Sequence, residues 1–147
     1  GNLGMALLAQ QDQKPEAIEQ LETAIRLKPG LWQAEVNLAN VLVTIPGRQE
    51  DAIRHYKHVL GTRPELAEIQ LNLGIALLGL PGRQTDAISH FESAIRTNPN
   101  LWQAHFVLAN TLLSTPGRRS EAIPHLEAVL RLNPGFVQAR QLLDQLR

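Results

Sequence analysis

Apolar residues recur at steps of three and four along most of this chain, with polar residues between them. Between residues 31 and 42 the apolar positions are Leu31, Ala34, Leu38, Ala39 and Leu42. This spacing places side chains on one face of an α-helix. The stripe ends before a Pro-Gly pair, where proline lacks the N–H needed to continue a helix and glycine tolerates positive φ. A second amphipathic run begins near Gln49 and stops before Pro64, so the pattern predicts a helix, a tight turn, a second helix and another turn.

The same pattern returns every 35 residues, and a proline closes each copy at Pro29, Pro64, Pro99 and Pro134. A period of this size indicates one supersecondary unit that is copied along the chain and buries its apolar face on its neighbours. We therefore predict a single all-α solenoid domain over residues 1–147. Its repeats are expected at about 1–30, 31–65, 66–100 and 101–135, followed by a C-terminal capping helix at 136–147.

The predicted turns between paired helices share one sequence in three copies: Pro46-Gly47-Arg48, Pro81-Gly82-Arg83 and Pro116-Gly117-Arg118. In the first copy the equivalent segment is Gln11-Asp12-Gln13, and we expect a turn there too. Pro124 falls inside the second helix of the fourth copy, so that helix is expected to start late or to kink. The first copy begins inside its first helix, because the equivalent of Trp32 would precede residue 1.

Small and large residues alternate at fixed places in each copy. The third copy carries them as Leu73-Gly74, Leu77, Ala87, Phe91, Ala94 and Pro99. This pattern resembles the tetratricopeptide repeat (TPR) family. The resemblance implies a right-handed superhelix of about four helix-turn-helix repeats with a peptide-binding concave face.

The chain departs from the family pattern in two ways. Its period exceeds the usual one of about 34 residues, because the Pro-Gly-Arg turn adds a residue. The position that usually holds tryptophan is occupied by Glu35, Gln70 and His105. Trp32 and Trp102 stand nearer the helix start, where we expect them to pack on the preceding helix; forming walls of the groove is the alternative.

The composition narrows the classes of partner and site. The chain has 14 basic and 14 acidic residues and no cysteine. A disulfide framework and thiolate metal sites are therefore excluded. There is no basic excess of the kind that nucleic-acid binding needs, and no apolar run approaches the about 18 residues of a membrane span. We expect neither nucleic-acid binding nor membrane insertion.

Histidine recurs at one place in the second helices, as His55, His90 and His125. Neighbouring helices pack about 8–10 Å apart, whereas zinc ligands lie about 2 Å from the metal, so successive copies are not expected to share an ion. Ser93 lies one helical turn from His90, but no orienting carboxylate completes a nucleophilic site. We predict no metal, no cofactor and no enzyme activity in this span.

In TPR arrays the first helix of each pair lines the concave face. By this resemblance the face consists of Asn2, Met5, Val36, Asn37, Asn40, Val43, Leu71, Asn72, Ile75, Leu78, Phe106, Val107, Asn110 and Leu113. No Lys or Arg occurs in residues 31–44, 65–79 or 101–114. Co-chaperones of the family hold an acidic C-terminal peptide with concave cations, and a carboxylate buried without such a partner is costly. The sequence therefore speaks against that carboxylate clamp.

Asparagine recurs at one concave position, as Asn2, Asn37 and Asn72, and Val107 interrupts the series. The TPR region of O-linked N-acetylglucosamine transferase is similar in carrying asparagines at this place. An amide offers both a donor and an acceptor to a peptide backbone. The alternative, that these amides bond local backbone groups or face water, stays open. The candidate peptide-binding residues are Asn37, Asn40, Asn72, Ile75, Phe106 and Asn110.

Three functional hypotheses follow. The first is a non-catalytic scaffold that binds a peptide segment of a partner protein in its concave groove. The second is a substrate-targeting region of a larger enzyme such as a glycosyltransferase. The third is a self-assembling module, a homo-oligomer that pairs through the uncovered first repeat.

Overall fold

The computed structural model of the chain describes the backbone of residues 2–147 and the side chains from residue 14 onward. Over this range the fold is all-α, with no strand. Its helices are α1 (Asn2–Leu27), α2 (Trp32–Leu42), α3 (Gln49–Thr62), α4 (Ala67–Leu78), α5 (Gln84–Thr97), α6 (Trp102–Leu113), α7 (Ala122–Leu132) and α8 (Val137–Leu146), and a short 3-10 turn (Arg119–Glu121) precedes α7. This architecture confirms the predicted class, an α-solenoid of helix pairs.

The chain divides into two compact units, residues 1–63 and 64–147. In the first unit α1 packs on α2, and α2 packs on α3. In the second unit each helix from α4 to α8 packs on the next along the chain. The assignment of residues 1–147 to one solenoid domain, with the repeat boundaries given above, stays a prediction.

The turns inside the helix pairs depend on glycine. Gly47, Gly82 and Gly117 have φ of 85°, 76° and 81°, a left-handed conformation that only glycine adopts without strain. The amide of Arg48 donates to the carbonyl of Ile45 at 3.0 Å. Proline at the second position and positive φ at the third are the signature of a type II turn, which reverses the chain so that α3 returns along α2.

The expected turn at Gln11-Asp12-Gln13 is wrong, because α1 runs unbroken through this segment with Pro15 inside it. The segment contains neither the proline nor the glycine that ends α2 and α4, so its backbone has no reason to leave the helix. The predicted concave residues Asn2 and Met5 lie outside the part of the chain whose side chains are described.

The fourth copy starts its second helix late, as Pro124 predicted. α3 and α5 begin two residues after the turn glycine, at Gln49 and Gln84. By contrast, α7 begins at Ala122, after the 3-10 turn, so that Pro124 lies in its first turn. Proline is tolerated there because the first N–H groups of a helix have no intrahelical acceptor.

In the pair of α4 and α5 the core combines a small residue on the first helix with a large one on the second. A Cβ added at Gly74 would lie 2.5 Å from Cε1 of Phe91, which is fully buried. Glycine therefore lets α4 approach α5 around a phenyl ring.

None of the helices in the described part of the chain combines the length and hydrophobicity that a bilayer span requires.

Candidate functional site

The six predicted peptide-binding residues all lie on the first helix of a pair. Asn37 and Asn40 are exposed on α2, Asn72 is half-buried and Ile75 is exposed on α4, and on α6 Phe106 is half-buried and Asn110 is exposed. Ile75 keeps 45% of its surface exposed and Leu78 keeps 38%. Large apolar side chains are thus accessible on α4, one helical turn apart.

Two clefts flank α6 in the second unit. The cleft between α6 and α8 is lined by Phe106, Asn110, Gln138, Gln141, Leu142 and Gln145. The cleft on the other side of α6 is lined by Leu78, Gln84, Phe106, Val107, Asn110, Thr111 and Ser114. Phe106 and Asn110 contribute to both, and neither lining contains a charged side chain. The structure thus brings two of the predicted residues together and sets them in uncharged surroundings.

An aromatic cluster fixes the position of Phe106. Its ring meets the ring of Phe136 edge to face, with centroids 4.7 Å apart, and Phe136 also lies 5.0 Å from Trp102. Trp102 therefore contacts the start of α8 in the following copy, while its expected packing on the preceding helix stays a prediction. In the first unit the guanidinium of Arg63 lies 5.3 Å from the ring centroid of Trp32, a cation–π contact.

The four asparagines differ in their partners. Asn40 Oδ1 accepts a 2.5 Å hydrogen bond from the hydroxyl of Tyr56, whose ring is buried. Burial raises the pKa of Tyr56 to about 12, which keeps the phenol protonated as the donor. The side-chain amides of Asn37, Asn72 and Asn110 make no hydrogen bond within the described part of the chain. Asn40 thus links α2 to Tyr56 of α3, while the other three amides are available to a ligand.

Three polar residues that replace the family's tryptophan join the helices of each pair. Glu35 is buried. Its Oε1 lies 2.7 Å from His58 Nδ1, and its Oε2 lies 3.3 Å from His55 Nδ1. Gln70 Nε2 donates to the carbonyl of Pro64 at 2.9 Å, and its Oε1 accepts from the hydroxyl of Thr97 at 3.1 Å. These contacts tie the first helix to the second helix or to the loop before it.

The fourth copy carries the same connection with two imidazoles. His105 Nδ1 lies 3.1 Å from His125 Nδ1, and His105 Nε2 lies 3.1 Å from the carbonyl of Pro99. Burial and the neighbouring charge of His105 lower the pKa of His125. Sequence reasoning treated these positions only as departures from the family. The signal that could have found them is the second-helix histidine 20 residues after Glu35 and again 20 residues after His105.

A third cleft, in the first unit, has a different lining. It consists of Glu22, Ile25, Leu38, Leu42, Arg48, Asp51, Arg54 and His55. Asp51 pairs with Arg54 and, at 2.6 Å, with Arg48 Nε. Hydrogen bonds from these two arginines lower the pKa of Asp51.

No group of three His, Cys, Asp or Glu side chains among the described residues could hold a metal ion.

The family model of the tetratricopeptide repeat matches residues 47–101 and again residues 82–135, which together are more than half of the chain. No curated protein matches the chain.

Solved structures of MamA proteins are similar in fold. A crystal structure of MamA has a TM-score of 0.80 at 23% identity and covers 92% of this chain and 77% of its own. MamA from Desulfovibrio magneticus RS-1 has a TM-score of 0.74 at 20% identity, covering 88% and 71%. MamA AMB-1 has a TM-score of 0.69 at 26% identity, covering 90% and 70%. These similarities agree with the arrangement of helix pairs described above.

Proposed function

Because the chain belongs to the tetratricopeptide repeat family, whose modules serve as protein-interaction scaffolds, we propose that it binds a peptide segment of a partner protein through the first helices of its helix pairs. The chemistry in this proposal is recognition, with no catalytic step in this span. The observation that supports it best is the pair of uncharged clefts on either side of α6.

The amide side chains supply backbone recognition in this proposal. Asn37, Asn72 and Asn110 each offer one acceptor and two donors. An extended peptide presents a donor and an acceptor at every residue except proline, so an amide can bond it whatever its side chains are. Asn40 retains its NH₂ group for a ligand, although its oxygen is engaged by Tyr56.

Apolar side chains of the peptide would be received by Ile75 and Leu78 on α4 and by Phe106 on α6. Burying a fully exposed Ile or Leu side chain gains about 1.5–3 kcal/mol. These side chains are only partly exposed before a peptide binds, so each contributes less than that. Several such contacts together reach the range of a transient protein interaction. Acidic peptide ends are disfavoured, because no Lys or Arg lines the clefts beside α6.

The double variant Asn37→Ala, Asn72→Ala tests the proposal. Peptides selected from a random library on the wild-type protein should bind this variant about tenfold more weakly in calorimetric titrations, since each lost hydrogen bond contributes about 0.5–1.5 kcal/mol. The melting temperature should barely move, because these amides have no partner among the described residues.

The matched control is Asn100→Ala, which removes an exposed amide from the loop before α6 and should leave affinity unchanged. Wild-type affinity in the double variant would refute backbone recognition by these residues. A large fall in melting temperature would instead assign them a structural role.

A further inference from the structure

We infer that α8 is a peptide-binding helix as well as the C-terminal cap, and that the segment it receives is extended and uncharged. This inference rests on the proposed function and extends it to residues of α8, which lie outside the predicted set. Its physical basis is a row of glutamine side chains that faces α6 across the cleft.

The row consists of Gln138, Gln141 and Gln145, spaced by three and four residues along α8. At 100° per residue this spacing keeps all three on one face, and all three line the cleft together with Leu142. The charged residues Arg140 and Asp144 alternate with them along the chain but do not line the cleft. The face turned towards α6 is therefore entirely uncharged.

Contacts at its beginning, middle and end hold α8 in this orientation. Phe136, at the N-cap of α8, packs against Trp102 and Phe106. Ala139 and Leu143 are buried in the middle of the helix. At the end, Arg147 Nη2 lies 3.0 Å from Glu127 Oε2 of α7. The glutamine row is thus displayed by an anchored helix.

The side chains that line this cleft match an extended polypeptide backbone. The glutamine amides make no hydrogen bond with the described residues, and Asn110 adds a fourth such amide from α6. Each amide can both donate and accept. Asn110 of α6 and Gln141 of α8 both line the cleft, so an extended chain that advances about 3.3 Å per residue can offer a separate backbone group to each amide.

Because no charged side chain lines the cleft, only some side chains of a peptide can enter it at low cost. A Lys, Arg, Asp or Glu that entered the cleft would lose water without gaining a counter-ion, which is costly. Phe106 and Leu142 instead offer an apolar floor for one aliphatic or aromatic side chain. The expected partner segment is an extended stretch of uncharged residues with one large apolar anchor, presented by another protein.

The triple variant Gln138→Ala, Gln141→Ala, Gln145→Ala tests this inference with peptides selected from a random library on the wild-type protein. Because all three residues are exposed and Ala favours helix, the variant should fold as the wild type does. It should bind the peptides about tenfold more weakly. The matched control, Arg140→Ala with Asp144→Ala, keeps the net charge and changes residues of α8 that do not line the cleft, so it should bind as the wild type does.

The outcomes separate this inference from the proposed function. Selected peptides that are uncharged around an apolar residue, and that need the glutamine row, support it. Peptides that lose affinity in the Asn37→Ala, Asn72→Ala variant but bind the triple variant normally overturn the role of α8 and leave the proposed function standing. Enrichment of acidic or basic peptides overturns the selectivity. A library that yields no binder at all refutes the proposed function itself.

Discussion

The cleft that Asp51 lines in the first unit and the clefts beside α6 in the second unit are formed from different parts of the helix pair. In the first unit the lining includes the Pro-Gly-Arg turn and the second helix, which contribute Arg48, Asp51 and Arg54. These charges already satisfy one another, since both arginines pair with Asp51. In the second unit the linings come mainly from first helices and from α8, and they contain amides, hydroxyls and apolar groups only.

This difference teaches that the same repeat provides two kinds of surface. Between residues 31 and 135 the cations lie on turns and second helices, and no Lys or Arg occurs in residues 31–44, 65–79 and 101–114, where the first helices lie. The cleft beside α3 therefore contains ion pairs. Exposed ion pairs contribute about 0–1 kcal/mol each to the free energy of unfolding. The clefts beside α6 instead contain the side-chain amide of Asn110, which has no hydrogen-bond partner among the described residues.

The largest expected effect comes from giving the uncharged clefts a cation. Asn110→Lys places an ammonium group at a residue that lines both clefts of the second unit. Binding of uncharged selected peptides should weaken about tenfold, while the free energy of unfolding stays close to wild type because Asn110 is exposed. Titration calorimetry measures the first quantity and chemical denaturation the second. Arg54→Ala, in the first unit's cleft, is the control and should leave peptide affinity unchanged.

A smaller effect is expected from the buried carboxylate of the first unit. Glu35→Gln keeps the shape of the side chain but removes the charge that both His55 and His58 contact. The free energy of unfolding should fall by about 1 kcal/mol, as measured by urea denaturation. Glu68→Gln, an exposed residue on α4, should change it much less. Equal effects of the two substitutions would show that the Glu35 contacts do not stabilise the helix pair.

The smallest effect concerns pH and the imidazole pair of the second unit. Because the pKa of His125 is lowered from 6.5 in the folded state, the unfolded chain binds more protons just below pH 6.5. The free energy of unfolding should therefore fall as pH drops from 7 towards 5. His125→Gln should flatten this dependence in denaturation curves recorded across that range. An unchanged slope would mean that the burial of His125 beside His105 does not lower its pKa in the folded state.

Hydrophobic periodicity and the regularly spaced Pro-Gly pairs were enough to predict the helix pairs. The periodicity marks the helices, and each turn between them requires a residue that accepts positive φ. The same rule explains the wrong turn in the first copy, where Gln11-Asp12-Gln13 offers no such residue. The late start of α7 followed from Pro124, whose ring cannot lie deep inside a helix.

The functional surface was less predictable. The position of Phe106 and Asn110 on first helices follows from the repeat, but their joint exposure in two clefts depends on how α8 packs, which periodicity does not determine. The glutamine row of α8 was missed because polar residues opposite a buried stripe usually face water. The buried Glu35 was missed because its histidine partners lie on another helix, 20 and 23 residues further along the chain.

The most direct test of peptide recognition by the first helices is a nitrogen–proton NMR spectrum of side-chain amides, recorded while a selected peptide is added. We predict that the resonances of Asn72 and Asn110 shift in proportion to peptide occupancy, while the guanidinium resonances of Arg48 and Arg54 stay in place. Shifts confined to Arg48 and Arg54, with Asn72 and Asn110 unchanged at saturation, would contradict the account.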